Sequence, residues 1–282
     1  MVAVERYHAL GNDYLVWCGD APLTPALARA ICDRHTGAGS DGVLVRGPRR
    51  GAAEVCQIWN PDGSIAEKSG NGLRIFARWL VDAGHAAPDV PIPLWTGTDA
   101  VVATVRSGSP SVVADMGTAS FEPADVPARA ELLPRLEGVG GPWDVVVVGL
   151  GNPHCVVFVD DVEAAPWRAW GEVLEVHPAF PRRTNVQVVA VIGPASLSVR
   201  IWERGAGPTQ ASGSSACAAA SAAVRAGRLA AGPITVVMPG GEVKVEVSPD
   251  FALRLDGPVE RVGRLELDPG WWASRMGLHT CR

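Results

Sequence analysis

The chain lacks any long apolar run. Hydrophobic residues make up 47% of its 282 residues, yet none of its apolar stretches reaches the roughly 18–20 residues that a membrane-spanning helix requires. The first six residues, MVAVER, contain no basic segment followed by an apolar one, which is the pattern of a signal peptide. The sequence therefore predicts a cytoplasmic protein that does not bind membranes.

Basic residues are not in excess either. The 25 Lys and Arg residues against 30 Asp and Glu give a net charge of -5, and the arginines are scattered rather than arranged in a stripe. Nucleic-acid binding is therefore not expected, and a small molecule is the predicted partner. With only 20% charged residues, the chain is predicted to be folded, and its length suits two medium-sized lobes.

The cysteines form no pattern of a metal site or a redox pair. No two are spaced as Cys-x-x-Cys, and the pair Cys32 and His35 has no second pair nearby. No Gly-x-Gly-x-x-Gly or P-loop motif follows a predicted strand. We therefore expect no metal and no nucleotide or pyridoxal cofactor. We expect free thiols in a reducing compartment, at Cys18, Cys32, Cys56, Cys155, Cys217 and Cys281.

Strand-like segments alternate with helix-like ones. Apolar periodicity predicts helices at 73–83 and 214–226, the second rich in alanine. Proline and glycine clusters predict loops at 88–93, 138–142 and 205–208. The predicted strands are 43–45, 54–59, 100–105, 111–115, 145–149, 155–159, 186–191, 196–202, 234–238, 242–247 and 251–255.

Several short motifs occur twice at nearly constant spacing. At a spacing of 143 residues, Ile58-Trp59 recurs as Ile201-Trp202, Ser69-Gly70 as Ser212-Gly213, and Gly97 as Gly240. Gly11-Asn12 recurs as Gly151-Asn152 after 140 residues. This period is too long for a solenoid and indicates two copies of a domain-sized unit. We expect lobes at 1–117 and 118–257, residues 258–282 returning to the first lobe, and a functional site between the lobes.

Each Ser-Gly pair precedes a predicted helix. Ser69 and Ser212 stand at tight glycine-bearing turns where the helices open. The N–H groups at such a helix start bind carboxylates or phosphates well. A simpler interpretation is that each serine only caps its helix, which requires no catalysis; the two roles are compatible.

Eight sequence blocks, in order, resemble those of the diaminopimelate epimerase family. They extend over roughly residues 7 to 260. The blocks are Gly11-Asn-Asp-Tyr14, Thr36-Gly-Ala-Gly-Ser-Asp-Gly42, Asn60-Pro-Asp-Gly-Ser64, Ser69-Gly-Asn-Gly-Leu-Arg74, Gly151-Asn-Pro-His154, Thr184-Asn-Val186, Glu203-Arg-Gly-Ala-Gly207 and Ala211-Ser-Gly-Ser214.

The resemblance implies an α/β (α+β) fold with two pseudo-symmetric lobes, each a curved mixed sheet around a central helix, and an active site in the cleft. It implies isomerase chemistry without a cofactor, in which one cysteine thiolate removes the α-proton and a cysteine thiol on the opposite side returns one. Family members often dimerise, so a homodimer is possible. Ser69 and Ser212 stand at the two cysteine positions, and His154 lies near the reacting centre. The implied substrate-binding positions are Asn12, Asn60, Gly70, Asn71, Asn152, Asn185, Glu203, Arg204, Gly213 and Ser214.

These residue types suit an amino-acid substrate. Backbone N–H groups at the two Ser-Gly turns fit an α-carboxylate, Glu203 accepts from an α-ammonium, and Arg204 fits a distal carboxylate or an internal ion pair. Simpler interpretations exist for single residues. An Asn beside Gly is a common turn residue, Glu203 and Arg204 can be a surface pair, and His154 can be an ordinary buried histidine.

Serine at both cysteine positions removes the base and the acid of the family mechanism. A thiol at a helix start has a pKa of roughly 3.5–7.5, whereas a serine hydroxyl needs an adjacent base. Gly42 is a second departure, since family members often carry glutamine there.

Four hypotheses remain open for the function. The hydroxyls act with help from His154 or Asp41, or the fold serves another isomerisation or a cyclisation. Alternatively, the protein binds an amino acid silently, or it is an engineered variant that traps substrate.

Overall fold

The computed structural model of the chain describes residues 2–19, 21–66, 69–97 and 100–275. The chain divides into two compact units, residues 1–114 with 258–282 and residues 115–257. We call them the N-terminal unit and the C-terminal unit. Both combine many strands with few helices, so the predicted α/β class is confirmed.

The N-terminal unit is built from the first part of the chain and its end. Strand β8 passes from this unit into the next. Its elements are β1 (Val2–Ala9), β2 (Asn12–Trp17), α1 (Pro25–Cys32), β3 (Val43–Arg50), β4 (Ala53–Trp59), β5 (Ile65–Ala66), α2 (Gly70–Asp82), β6 (Ile92–Trp95), β7 (Ala100–Val105), β8 (Ser111–Thr118), β18 (Glu260–Leu267) and α5 (Pro269–Arg275).

The C-terminal unit repeats this order after a short 3₁₀ turn at Ala130–Leu132. Its elements are β9 (Arg135–Leu136), β10 (Trp143–Gly149), β11 (Pro153–Phe158), α3 (Trp167–Glu175), β12 (Asn185–Gly193), β13 (Ser196–Glu203), β14 (Gly207–Thr209), α4 (Gly213–Arg225), β15 (Gly232–Met238), β16 (Gly241–Val247) and β17 (Ala252–Pro258).

Both units pair their strands in the same way. β1 pairs antiparallel with β2, β2 parallel with β3, and β3 antiparallel with β4; β4 then pairs antiparallel with β5 and parallel with β6. β10 to β15 repeat every one of these pairings in sequence. Val43 lies opposite Trp59, and Val186 lies opposite Trp202. Because both members of this second pair lie 143 residues after the first, the structure confirms the internal duplication.

The two central helices end at equivalent glycines. Gly84 follows α2 with φ 74°, and Gly227 follows α4 with φ 66°. This left-handed backbone suits glycine, which has no Cβ to clash. The next N–H bonds back across the turn in both cases, from His85 to the oxygen of Leu80 and from Arg228 to the oxygen of Ala223. The same local signal therefore closes both helices.

The composition of α4 fits its position in its unit. The helix contacts β10, β11, β12, β13, β15 and β16, and its alanines are buried all round. Small side chains allow a helix to lie close to a sheet on several sides, and alanine has the highest helix propensity. α2 contacts β1, β2, β4 and β7, with the larger Leu73, Phe76 and Leu80 buried. Each unit thus has a mixed sheet around a central helix, as the family fold implies.

Two of the predicted loops contain strands. β6 begins at Ile92 inside the predicted loop 88–93, and β14 covers Gly207–Thr209 at the end of the loop 205–208. Both strands are short, and each pairs with a longer strand, β6 with β4 and β14 with β13. This pairing outweighs the local preference of proline and glycine for turns. Helix α1 was missed although Thr24 caps it and Pro25 opens it. Helix α3 has no side-chain cap, so its sequence carries no start signal.

The end of the chain packs on the N-terminal unit. β18 pairs antiparallel with β1, with Val4 opposite Leu265. In α5, the ring of Trp272 lies 5.3 Å from that of Trp17, and Trp271 Nε1 donates to the oxygen of Thr36 at 3.0 Å.

Among the described cysteines, all are free, and only Cys18 is exposed; Cys281 lies outside the described residues. None of the helices in the described ranges is long and apolar enough to cross a membrane.

Candidate active site

Ser69 is the N-cap of α2. Its extended backbone (φ -141°, ψ 115°) lets Oγ accept from the N–H of Gly72 at 3.0 Å. Tyr14 Oη donates to the same Oγ at 3.1 Å. Two donors fill both lone pairs of a serine oxygen. The hydroxyl hydrogen of Ser69 is left to donate, and within the described residues no group accepts it.

Ser212 is the N-cap of α4 with nearly the same backbone (φ -144°, ψ 126°). The contact is looser, since Oγ accepts from the N–H of Ser215 at 3.5 Å. Ser214 Oγ lies 3.4 Å from Ser212 Oγ. Both serines therefore cap helices, as the simpler interpretation of the sequence predicts. Gly70 and Gly213 open the two helices, where first-turn N–H groups have no partner inside the helix.

A chain of amides joins two predicted binding residues of the N-terminal unit. Asn71 Nδ2 donates to Asn12 Oδ1 at 3.0 Å, and Asn12 Nδ2 donates to Asp41 Oδ2 at 2.9 Å. Asn71 Oδ1 accepts from the buried Arg74 at 2.7 Å. These bonds fix which end of each amide faces which neighbour.

Two arginines surround Asp13, next to this chain. Arg34 donates to Asp13 at 2.8 Å and to Asp41 at 2.6 Å, and Arg6 also bonds Asp13. Burial alone raises the pKa of Asp13, but the hydrogen bonds and charges of Arg34 and Arg6 outweigh it and hold that pKa below its usual value. Asp13 is thus an ionised structural anchor for the strand that carries Asn12 and Tyr14.

Gly42 lies against the ring of Tyr14. A Cβ at position 42 would stand 2.6 Å from Tyr14 Cε1 and 2.6 Å from the backbone oxygen of Trp59. Because real Cβ atoms do not approach that closely, the glutamine expected from the family resemblance does not fit here.

Asn60 belongs to a turn of its own. Its Nδ2 donates to Ser64 Oγ at 2.9 Å, and its backbone bonds Ser64 and Gly63. The described contacts do not join it to the Asn12–Asn71 pair, so its place in a binding site stays a prediction.

In the C-terminal unit, His154 lies at the centre of a buried polar network. It is fully buried, with Nε2 at 2.9 Å from Asn152 Oδ1 and Nδ1 at 3.1 Å from Gln187 Nε2. Gln187 Nε2 also donates to Ser215 Oγ at 3.0 Å. Because Gln187 donates to Nδ1, the imidazole proton sits on Nε2 and points to Asn152. Burial lowers the pKa of His154 to about 3, so the ring is neutral.

Asn185 and Arg204 are joined through the backbone. Asn185 Nδ2 donates to the oxygen of Pro153 at 2.8 Å, and its Oδ1 accepts from the N–H of Arg204 at 3.0 Å. The side chain of Arg204 is exposed and lies 3.5 Å from the oxygen of Arg182. It forms no ion pair within the described residues. Glu203, half-buried, ends β13 just before it.

The sequence interpretation missed the roles of Tyr14, Gln187 and Ser215. Gln187 had a visible signal, because it is the one polar residue in the predicted apolar strand 186–191. The repeat also aligns Tyr14 with His154 at the 140-residue spacing and Gly72 with Ser215 at the 143-residue spacing. Comparing the two copies would therefore have pointed to these positions.

Comparison with known proteins gives the family. The sequence pattern described as diaminopimelate epimerase matches residues 5–122 and 146–262. A diaminopimelate epimerase 2 of Nostoc sp. is 40% identical over 271 residues, which cover 93% of this chain and 94% of that protein. The diaminopimelate epimerase of Synechococcus elongatus is 39% identical over 275 residues, 93% of this chain and 97% of that protein. The chain belongs to the diaminopimelate epimerase family.

Solved structures confirm the epimerase-like fold. A predicted epimerase from Pseudomonas aeruginosa superposes with a TM-score of 0.70 at 21% identity, over 95% of this chain and 99% of that chain. A phenazine biosynthesis protein of the PhzF family from Bacillus anthracis gives 0.68 at 14% identity, over 95% and 99%. At these identities the likeness shows the fold alone. A predicted epimerase and a phenazine biosynthesis protein therefore share this architecture.

Proposed function

We propose that this member of the family is an isomerase-type enzyme that binds an amino acid or a closely related acid and does not epimerise it with two thiols. Ser69 and Ser212 act as hydrogen-bond donors in place of the thiolate and the thiol. The amide and backbone groups around them, including Asn12, Asn71 and Asn152, hold the substrate. The names of the curated relatives support an amino-acid substrate of the diaminopimelate type.

The observation that carries this proposal is that, among the residues that the structure describes, no base lies within hydrogen-bond reach of either hydroxyl. Ser69 Oγ is bonded by the N–H of Gly72 and by Tyr14, and Ser212 Oγ by the N–H of Ser215 and by Ser214. A serine hydroxyl needs an adjacent base to remove a proton. A helix dipole stabilises an anion by at most about 2 kcal/mol, which is roughly 1.5 pKa units and far too little.

The two candidate bases are both engaged elsewhere. His154 is neutral, its two ring nitrogens are bonded to Asn152 and Gln187, and burial lowers its pKa to about 3. Asp41 accepts from Asn12, from the N–H of Asp13 and from Arg34. The hypothesis in which one of them assists a serine therefore has no support in the hydrogen bonds of the described residues.

Hydroxyl donors still suit a reaction in which the substrate carries its own base or leaving group. A fixed donor stabilises the negative charge that develops on a carbonyl or carboxylate oxygen, at no cost in reorganisation. Rearrangement or ring closure within one molecule depends on orientation more than on a strong base. Isomerisation or cyclisation of that kind remains compatible with the two capped turns.

A second candidate function is silent binding of an amino acid. The observation that favours it is the state of His154, whose two ring nitrogens are both hydrogen-bonded and whose pKa burial lowers to about 3, so that this histidine is neither a free base nor an acid near neutral pH. If the protein is a silent binder, the amino acid raises the melting temperature of the protein. The protein then neither exchanges the hydrogens of the amino acid nor changes the structure of the amino acid.

Deuterium exchange tests the proposal. The protein and its Ser69→Cys, Ser212→Cys double variant are incubated with meso- and LL-diaminopimelate in D2O, and α-deuterium is measured by mass spectrometry. We expect no uptake with Ser69 and Ser212 in place and uptake with both thiols, because a helix start lowers a thiol pKa enough to form a base.

A matched control places the first thiol at another cap. Thr24 caps α1 by accepting from the N–H of Leu27 at 3.2 Å, so Thr24→Cys with Ser212→Cys carries the same number of new thiols, and we expect no uptake. Uptake by the protein that carries Ser69 and Ser212 would overturn the proposal. If the Ser69→Cys, Ser212→Cys variant takes up nothing either, the pocket no longer accepts this amino acid.

A further inference from the structure

We infer that Tyr14 is a positioning residue that fixes the hydroxyl of Ser69 as a donor, and that Gly42 is the glycine that makes room for it. This inference rests on the proposed role of Ser69 but concerns a contact that exists without substrate. The family resemblance identifies Ser69 only as the residue at a cysteine position. The structure adds its partner, Tyr14, which determines the direction of the Ser69 hydroxyl hydrogen.

The geometry of Tyr14 is well defined. The residue lies on β2 and is only 7% exposed. Its Oη lies 3.1 Å from Ser69 Oγ, and the N–H of Gly72 lies 3.0 Å from the same oxygen. A serine oxygen has two lone pairs. Because Tyr14 and the N–H of Gly72 occupy both lone pairs, the Ser69 hydroxyl hydrogen points away from Tyr14 and from the helix. It is therefore available to donate a hydrogen bond.

Gly42 and Tyr14 form one steric unit. Any side chain at position 42 would begin 2.6 Å from Tyr14 Cε1, inside the space that the ring fills. The phenol ring therefore takes the volume in which a side chain from position 42 would lie. The absence of a side chain at Gly42 and the hydroxyl contact at Ser69 are two consequences of one ring position.

The C-terminal unit shows that this contact is not a general property of the fold. His154 takes the place of Tyr14 in the repeat, yet its ring bonds Asn152 and Gln187 and not Ser212. Ser212 Oγ accepts a long contact, 3.5 Å, from the N–H of Ser215, and its other neighbour is the hydroxyl of Ser214 at 3.4 Å. Of the two capping serines, Ser69 thus has the shorter side-chain contact, and its partner comes from a neighbouring strand and not from its own helix.

A thiol introduced by Ser69→Cys reports on the Tyr14 donor directly. A donor to a thiolate stabilises the charged form and lowers the pKa, so removing it raises the pKa. We expect Tyr14→Phe, added to Ser69→Cys, to raise the thiol pKa by about one unit, the effect of one hydrogen bond to a charged group. The pH dependence of iodoacetamide alkylation gives the pKa, with mass spectrometry of the peptide that contains position 69.

Tyr7→Phe is the matched control, because the chain has only two tyrosines. Tyr7 Oη donates to Asp82 Oδ2 at 3.0 Å, at the far end of α2, about 20 Å from Ser69 for a 13-residue helix. Its loss removes the same hydroxyl from the same unit and is expected to leave the thiol pKa unchanged. Equal pKa values in the Tyr14→Phe and Tyr7→Phe backgrounds would overturn the inference.

A second measurement applies to the chain with Ser69 in place. In the Tyr7→Phe protein, Tyr14 is the single tyrosine, so the ¹³Cζ NMR signal of its ring is assigned without ambiguity. Ser69→Ala removes the acceptor and is expected to shift that signal, and an unmoved signal would also overturn the inference. Neither readout uses substrate, so a failure of the deuterium experiment leaves this result standing, and the reverse also holds.

Discussion

The two capped turns share a backbone but differ in their surroundings. Ser69 is bonded by a tyrosine and by the N–H of a glycine, with the apolar Leu44 beside Gly72. At the equivalent positions of the C-terminal unit stand His154, Gln187 and Ser215, which bond one another and leave Ser212 with a weaker cap. Duplication preserved the turn, while the residues behind it diverged into a direct donor in one unit and a buried polar network in the other.

The difference shows that a repeated motif does not imply a repeated role. Position 42 holds glycine because a ring fills its side-chain space, whereas the equivalent Asn185 uses its side chain to bond Pro153 and Arg204. The residue type at each of these two equivalent positions thus depends on which residue the neighbouring strand places against it.

Exchanging the residue at position 42 for its counterpart should have the largest effect. Gly42→Asn forces a Cβ against Tyr14 and the backbone oxygen of Trp59, and we expect a loss of about 3 kcal/mol from overpacking. For a protein of this size, the melting temperature should then fall by about 6–12 °C. Gly263→Asn is the control, since a Cβ there meets nothing within 4 Å. Similar melting temperatures for both variants would show that Tyr14 moves freely.

His154 should make stability depend on pH in a way that Tyr14 does not. Its folded-state pKa of about 3 lies below the unfolded value of about 6.5, so the unfolded state binds the proton first. The stabilisation is complete above about pH 6.5 and is lost as the pH falls toward 3. Between pH 7 and pH 5 we expect a loss of about 2 kcal/mol from this residue.

Denaturant unfolding of the protein and of His154→Gln at pH 7 and pH 5 measures this loss. The stability advantage of the protein over the variant should shrink by that amount on acidification. For Tyr14→Phe, the corresponding difference should stay constant over the same interval. An advantage of His154 that does not change with pH would mean that the folded state accepts the proton.

The two caps should differ by the smallest amount. Ser69→Ala removes a 3.0 Å bond from Gly72 together with the Tyr14 contact, and should cost about 1 kcal/mol. Ser212→Ala removes two longer contacts, 3.5 Å to the N–H of Ser215 and 3.4 Å to Ser214 Oγ, and should cost roughly half as much. Thermal unfolding of the two alanine variants compares them, with glycine at each position as the milder reference. Equal losses of stability in the two alanine variants would show that the two caps contribute equally, contrary to the difference in their contacts.

Much of the fold could be predicted from the chain alone. Apolar alternation indicated β7 and β16 within one residue, and small or apolar periodicity indicated α2 and α4. Strands such as β6, with a proline in a four-residue segment, could not be found in this way, because only pairing with β4 determines their conformation.

Some features of the candidate site could likewise be predicted from sequence motifs, and others could not. Asn12 and Asn71 were indicated by motif, and the structure joins them with a hydrogen bond at 3.0 Å. That Gln187 fixes the proton of His154 depends on β11 and β12 lying parallel, with His154 opposite Asn185. Sequence spacing cannot give that register, because a shift of one residue reverses the face of every side chain.

By itself, the sequence determined the duplication, the two Ser-Gly turns and the absence of thiols at both, since these are statements about residue identity and spacing along one chain. Only the tertiary structure decided what each serine contacts. Tyr14 lies 55 residues from Ser69, and His154 lies 33 from Gln187. Contacts at such separations arise from strand pairing and side-chain packing, so the chemistry available at each hydroxyl was set by the fold and not by the motif that contains it.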